Sequence, residues 1–330
     1  MLTLHARTGE IDQLQADLGD AAAMTPDAVW VDLLNPSPSE TAFVERATGL
    51  ILPSFADLSE IETSSRLRAQ NGVLYLSAPL VHRANADDPR TTPVGFVLGP
   101  DRLVTVRFEE LIPFTTFGTT FGQAAPGTAP EAFAGLVEAI VDRLADVLER
   151  IAAELDTLSH RLFRSEPIEG KRRRRPARSA ADLRVILRRI GNSGDLASKI
   201  RDSLHGLARL VPFVESMGAA WLPEVVKPRL ETVRHDLLSL TDYDHFLLDQ
   251  VQLLLDATLG LINVEQNNII KVLTIVSVVG VPPTLVASMY GMNFKDMPEL
   301  SWAWGYPYAL ALIAISAVGP LLWFRLRGWF

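Results

Sequence analysis

Two long uncharged stretches dominate the hydrophobic pattern near the carboxyl terminus. The first follows Lys271, reads VLTIVSVVGVPPTLVASMYGMNF and meets no charge before Lys295. As a helix, its roughly 23 residues span about 34 Å, enough to cross a hydrocarbon core of about 30 Å. The second extends from Leu300 to Phe324. We therefore predict two transmembrane helices, at about 272–291 and 304–324, joined by a loop at 291–300.

Aromatic and charged residues flank the two stretches. Lys271 precedes the first span and two arginines follow the second, whereas the loop between them carries one lysine and two acids. The positive-inside rule then predicts that both termini are cytoplasmic. Because each spanning helix satisfies its own backbone, two helices do not enclose a pore, and ion passage would require an oligomer. The aromatic residues that mark the membrane interfaces are Trp302, Trp304, Tyr306, Tyr308, Trp323 and Trp329.

The first 125 residues have the pattern of a mixed α/β domain. The segment SPSETAFVERATGL (37–50) has an N-cap serine and helical spacing, which predicts a helix. The first twenty residues lack the apolar core of a secretory signal, so we expect the amino terminus to stay in the cytoplasm. Apolar runs bounded by turn residues predict four strands: VWVDLL (29–34), GVLYLSAPLV (72–81), VGFVLG (94–99) and RLVTVRF (102–108).

From a predicted linker, GQAAPGTAP (122–130), the pattern is helical almost to the end of the chain. Periodic segments at 131–163 and about 179–218 predict two helices. The stretch from Pro228 to Pro282 contains no other proline and predicts a helix about 80 Å long. An apolar seam, interrupted at Asp244, follows this helix at steps of three and four: Leu230, Val233, Leu237, Leu240, Leu247, Val251, Leu254 and Leu261. The predicted fold is an α+β membrane protein with domains 1–125, 126–268 and 269–330.

A polar row lies on another face of this long helix. Small residues in such a row also favour plain helix packing in membranes. Extended backward by sevens, however, the row reaches aspartates, and rings of aspartate attract cations toward a constriction. Amides and hydroxyls suit Mg²⁺, which sheds its water reluctantly, and Ile270 and Val281 would be apolar constrictions. The row comprises Asn263, Asn267, Ile270, Thr274, Ser277, Val281, Thr284 and Ser288, preceded by Asp256, Asp249 and Asp242.

Charge and composition exclude several classes of function. The 330-residue chain has a formal net charge of −8, so we do not expect a nucleic-acid partner. It has no cysteine, which excludes disulfides and thiolate metal sites. The six histidines lack zinc-hydrolase spacing and no GxxxxGKS/T motif occurs, so we expect neither an enzyme nor an organic cofactor. The run KRRRR (171–175) predicts a solvated turn, with contact to anionic lipid headgroups as the alternative.

A more specific motif stands at the end of the first span. It reads YGMNF (290–294) and is followed by MPEL (297–300), between the two spans and ahead of a basic tail. With these motifs the chain resembles the CorA metal ion transporter family, whose hallmark is the Gly-Met-Asn triplet. The segment 262–288 also resembles the pore helix of the proteobacterial branch of that family.

The resemblance implies a homopentamer in the bacterial inner membrane that conducts Mg²⁺, with Co²⁺ and Ni²⁺ as possible hydrated mimics. The first span would line the pore and the second would face lipid. Asn293, with Gly291 and Met292, would form an outer ring that selects the hydrated ion. Asn267 and Thr284 match pore-lining positions, and Asp256 matches an acidic ring at the cytoplasmic neck.

The resemblance also implies that cytoplasmic Mg²⁺ regulates the pore, but it assigns no residues to the regulatory site. In the family, cytoplasmic Mg²⁺ bound between neighbouring subunits holds the pore closed. Ile270 and Val281 stand where some members carry methionine, and the arginine run stands where acidic hairpin tips are common. The acids available for a regulatory site, which the resemblance does not assign residue by residue, are Asp87, Asp88, Asp236 and Asp244.

The favoured hypothesis is a Mg²⁺ influx channel driven by the membrane potential, because two charges crossing 100 mV release about 4.6 kcal/mol. Two alternatives stay open on the sequence. A ZntB-like Zn²⁺ transporter would share the fold, although that branch departs from the YGMNF and MPEL motifs and softer ions prefer imidazole or thiolate ligands. A membrane-anchored sensor or scaffold that passes no ion would contain the same helices, and ion flux distinguishes it.

Overall fold

The structure, a computed structural model, describes residues 1–14, 24–60, 62, 66–86, 88–124, 127–163, 180–292 and 297–329. The chain divides into two units, Met1–Pro167 with Leu187–Leu255, and Ile168–Ile186 with Asp256–Phe330. The first unit contains a β-sheet with its covering helices. The second contains both stretches that are long and apolar enough to cross a membrane.

A seven-stranded sheet forms the core of the first unit. Its strands lie in the order β2-β1-β3-β7-β6-β5-β4. Strands β3 and β7 are parallel, and the other neighbouring pairs are antiparallel. The strands are β1 (Leu2–Ala6), β2 (Ile11–Leu14), β3 (Ala28–Leu34), β4 (Leu67–Gln70), β5 (Val73–His82), β6 (Arg90–Leu98) and β7 (Leu103–Arg107).

The four strands predicted from apolar runs are confirmed as β3, β5, β6 and β7. Strand β1, which was not predicted, lies inside the sheet between β2 and β3. All five of its residues are buried, including the polar side chains of Thr3 and His5. Its short run, LTLHA, alternates like a half-exposed strand, so only its neighbours reveal that both faces are covered.

Helix α1 (Pro38–Thr48) confirms the predicted amino-terminal helix. Ser37 Oγ accepts a hydrogen bond from the Glu40 N–H at 3.2 Å, and Glu40 Oε2 accepts one from the Ser37 N–H at 2.8 Å. This reciprocal pair is a capping box. Phe43 and Val44 carry the apolar side of α1 into the core of the sheet, and the short helix α2 (Phe55–Ser59) follows.

Helix α3 (Ile112–Ala124) packs its phenylalanines around Trp30 of the sheet. The ring centroids of Phe117 and Phe121 lie 5.3 and 5.7 Å from that of Trp30. The linker predicted at 122–130 is therefore wrong in extent, because α3 continues to Ala124 and α4 begins at Ala129. Threonine and glycine lower the helix propensity of α3, and its aromatic packing on the sheet compensates.

Helices α4 (Ala129–Phe163) and α5 (Ala180–Met217) confirm the predicted helical pair. They are joined by an ion pair in which Arg189 lies 3.0 Å from Glu154. The arginine run at 171–175 lies outside the described residues.

Helix α6 (Val226–Tyr290) is continuous over 65 residues, and the predicted seam is buried along its first half. Asp244, at the interruption of the seam, is itself buried, and its Oδ2 lies 3.0 Å from Arg201 Nε of α5. Leu240 and Leu261 of the predicted seam are only half-buried. The buried members are Leu230, Val233, Leu237, Leu247, Val251 and Leu254.

The second unit contains the end of α6, a 3-10 turn (Pro298–Ser301) and helix α7 (Gly305–Leu326). In the most apolar windows of α6 and α7, 0% and 6% of the residues are buried. The apolar surfaces of these two helices are therefore left for a membrane or further copies of the chain to cover.

Candidate ion pathway

The polar row of α6 occupies one face of a continuous helix. Successive residues of an α-helix are rotated by about 100°, so the eight positions from Asn263 to Ser288 fall within an arc of about 100°. All eight side chains are exposed or half-exposed, and Ile270 and Val281 expose 56% and 63% of their surface. No other part of the described chain covers this face.

Two hydroxyls on this face donate their hydrogen bond to backbone carbonyls of α6. Thr274 Oγ1 donates to the Ile270 carbonyl and Thr284 Oγ1 donates to the Gly280 carbonyl, each at 2.8 Å. Their oxygen lone pairs therefore remain available to accept hydrogen bonds from water. Such a surface is suited to a cation that keeps its water shell, because the shell presents hydrogen-bond donors.

The aspartates continue the same face toward the start of α6. Asp242, Asp249 and Asp256 are exposed, and they lie close to half a turn from the buried seam. The seam faces the other helices of the first unit, so the carboxylates lie on the opposite side of α6, where the described residues leave them exposed. Carboxylates at this position raise the local concentration of cations.

The Gly-Met-Asn triplet directly follows α6. The Gly291 N–H donates to the Ala287 carbonyl at 3.0 Å, and the Met292 N–H donates to the Met289 carbonyl at 3.3 Å. These bonds fix Gly291 and Met292 at the end of the helix. Asn293, the amide expected to select the ion, lies outside the described residues.

The acids considered for a regulatory site are not brought together. Asp88 is exposed and pairs with Arg90 at 2.8 Å, which holds the pKa of that carboxyl below its usual range. Asp244 is buried beside Arg201, and burial raises its pKa despite that partner. Asp236 is exposed on α6, and Asp87 lies outside the described residues. No group of three or more acids or histidines in the described chain is arranged to hold a metal ion.

One acidic surface was missed from the sequence. Burial, followed by the charges of Glu138, Asp146 and Asp236, raises the pKa of Asp142. Glu138, Asp142 and Asp146 recur at steps of four on α4. This spacing was the signal in the sequence that could have predicted an acidic face on the helix. Glu138 forms an ion pair with Arg229, with Arg229 Nη2 2.6 Å from Glu138 Oε2.

Comparison with known proteins identifies relatives over the whole chain. The family described as CorA-like Mg²⁺ transporter protein matches residues 26–326. The magnesium transport protein CorA of Yersinia pseudotuberculosis is 32% identical over 321 residues, which is 97% of this chain and 96% of the relative. Its counterpart in Salmonella typhimurium is 33% identical over 305 residues, 92% of each chain. The complete structure of the CorA magnesium transporter from Methanocaldococcus jannaschii, at 17% identity, covers 100% of this chain and 98% of that structure with a TM-score of 0.72.

The chain combines a unit built on a seven-stranded sheet with two helices long and apolar enough to span a membrane, and its relatives are membrane transporters. The chain belongs to the CorA-like Mg²⁺ transporter family, as its motifs predicted. Membership in a family of transporters supports Mg²⁺ transport, with Mg²⁺ as the cargo, rather than an enzymatic reaction.

Proposed function

We propose that this protein is a Mg²⁺ influx channel of the bacterial inner membrane, driven by the membrane potential and formed by α6 helices of several copies. The supporting observation is the exposed polar face of α6. A single helix with such a face conducts nothing, because an ion needs protein on all sides to replace lipid. Arranged around an axis, the same face becomes a series of rings.

The proposed assembly is a homopentamer with both termini in the cytoplasm. Relatives of this family suggest the symmetry, and the exposed apolar surfaces of α6 and α7 supply contacts for lipid and for neighbouring copies. Residues 1–125 would form the cytoplasmic α/β domain and 126–268 the helical stalk. Residues 269–330 would form the transmembrane domain.

The proposed route passes a hydrated ion through rings of different chemistry. Asn293, supported by Gly291 and Met292, would receive the ion from outside by accepting hydrogen bonds from its water shell. Hydroxyl and amide rings from Ser288 to Asn263 would continue those bonds, and the neck aspartates Asp256 and Asp249 would draw the ion inward. The neutral rings suit release as well as capture, because amides and hydroxyls bind the water shell without replacing it.

Ile270 and Val281 would close the path when the helices approach. Both are exposed and apolar, and a narrow ring of such side chains expels water and stops a hydrated ion. Cytoplasmic Mg²⁺ is proposed to favour this closed state by binding carboxylates between copies. Co²⁺ and Ni²⁺, as hydrated ions of the same charge, are proposed as secondary cargo.

Mg²⁺ uptake by proteoliposomes tests this function. Under an inside-negative potential, the wild-type chain should admit Mg²⁺, and Asn293→Ala should lose most of that uptake because the selecting amide is gone. Uptake should persist without a pH gradient. Zn²⁺ uptake that follows a proton gradient would instead favour a ZntB-like transporter, and the absence of any ion flux would favour a sensor or scaffold.

A further inference from the structure

A cavity in the first unit lies far along the chain from the proposed pore residues. It has a volume of about 310 Å³ and lies between the β5–β6 loop, α4 and α5. Ligand pockets begin at about this size. The side chains that give it polar character are Asn85, Arg150, Glu154, Arg189, Asn192 and Ser193.

Positive charge in this cavity is only partly neutralised. Arg189 is paired with Glu154. Arg150, in contrast, donates to two neutral groups, the Ala84 carbonyl at 2.6 Å and Asn85 Oδ1. Arg143 shares the same Asn85 oxygen at 3.3 Å. Among the described residues, no carboxylate lies within ion-pair distance of Arg143 or Arg150, so two adjacent cations share one neutral acceptor.

A second observation at the cavity is an unused hydroxyl. Ser193 is 4% exposed and lines the cavity, and its Oγ has no hydrogen-bond partner in the described part of the chain. Buried polar atoms are nearly always hydrogen-bonded, so an unpaired one calls for a partner that the folded chain does not supply. Burial, followed by the charge of Arg143, also lowers the pKa of Arg150 against an opposing effect of Glu154, as expected for a cation held without a close counter-ion.

We infer that this cavity binds a small organic phosphate. Arginine binds phosphate oxygens through planar, charge-assisted hydrogen bonds, and the Ser193 hydroxyl with the exposed Asn192 amide adds neutral donors. The remaining wall includes Pro89, Ile151 and Leu196, which suits an apolar group esterified to the phosphate. This site lies in the first unit alone, and its occupancy does not depend on ion conduction.

Binding is tested on the full-length protein in detergent, in magnesium-free buffer at constant ionic strength. Phenyl phosphate is the probe, with phenol and inorganic phosphate for comparison. Calorimetric titration should show saturable binding of phenyl phosphate, weaker binding of inorganic phosphate and none of phenol. The phosphate group should contribute the charge-dependent part of the binding affinity, and the phenyl ring should contribute the apolar part.

Three variants make the test specific. Arg150→Gln and Ser193→Ala should each weaken phenyl phosphate binding about tenfold or more, because each removes a hydrogen bond to a charged group. Ser193→Ala removes a hydroxyl without a partner and should therefore fold normally. Arg188→Gln is the matched control, since Arg188 is exposed on α5 and does not line the cavity. The inference is overturned if phenyl phosphate does not bind saturably, or if Arg188→Gln weakens binding as much as Arg150→Gln.

Discussion

At the scale of single residues, His5 shows how burial controls ionisation. Its ring stacks on Trp30 with centroids 4.0 Å apart and meets Phe121 edge-on at 5.1 Å. Its Nδ1 has no hydrogen-bond partner among the described residues. Burial lowers the pKa of His5 from 6.5 to about 4, against an opposing effect of Asp32. The folded protein therefore holds this imidazole neutral at pH 7.

The pKa of His5 predicts a loss of stability in acid. The folded pKa of His5 lies below the unfolded value. As pH falls from 6.5 toward 4, the unfolded chain therefore takes up a proton at His5 while the folded protein does not, and this favours unfolding. The free energy of unfolding is unaffected well above pH 6.5 and is lower by about 2 kcal/mol at pH 5. His5→Phe keeps an aromatic ring beside Trp30 and removes the titrating group. Thermal unfolding at pH 7 and pH 5 should show a smaller acid-induced drop in Tm for His5→Phe than for the wild type, and equal drops would contradict this account.

Some residue-level features follow from the sequence and others do not. The position of Asp244 in the seam of α6 was visible as an interruption, but its partner Arg201 lies on another helix and carries no signal in sequence spacing. Likewise, the cavity beside Arg150 and Ser193 joins a loop and two helices. Such sites depend on packing between distant segments, so nothing in the sequence pattern indicates that these residues come together.

At the scale of secondary-structure elements, α5 approaches the sheet through a glycine. A Cβ at Gly206 would lie 2.9 Å from Pro79 Cδ and 3.2 Å from Ala78 Cβ. Both neighbours are stiff, so the helix would have to move outward. Gly191, on the same helix, is exposed, and a Cβ at that position would have no neighbouring atom within 4 Å.

Alanine at these two glycines should have opposite effects on stability. Gly206→Ala should reduce the free energy of unfolding by about 1–3 kcal/mol through overpacking. Gly191→Ala should raise it by about 0.5–1 kcal/mol, because alanine favours the helix. Denaturant unfolding of the full chain in detergent, followed by helical circular dichroism, measures both. Similar effects of the two substitutions would show that α5 does not pack closely on β5.

Helices and strands were predictable where the spacing of apolar residues within the element was enough to identify it. The periodic helices α4 and α5 and the apolar strands follow directly from residue spacing. Helix α3 was missed because IPFTTFGTTFGQA is rich in threonine and glycine, although Phe114, Phe117 and Phe121 recur at steps of three and four. Strand β1 was missed because its burial depends on strands and helices distant in sequence.

At the scale of the whole molecule, the exposed faces of α6 and α7 require partners. Within the described residues, most apolar side chains of α7 and the mixed face of α6 are exposed or half-exposed. The uncharged runs alone predicted that these helices enter a membrane. The number of copies around the proposed pore depends on contacts between chains, which a single sequence encodes only through its resemblance to relatives.

Two adjacent asparagines test the central claim most directly. Asn267 lies on the polar face of α6, and Asn268 lies about 100° further around the helix; both are exposed. Potential-driven Mg²⁺ uptake should fall about fivefold to tenfold in Asn267→Ala, through loss of a hydrogen bond to the hydrated ion in each copy. Asn268→Ala should retain wild-type uptake. Equal uptake by the two variants, or a greater loss in Asn268→Ala, would contradict the assignment of this face of α6 to the ion pathway.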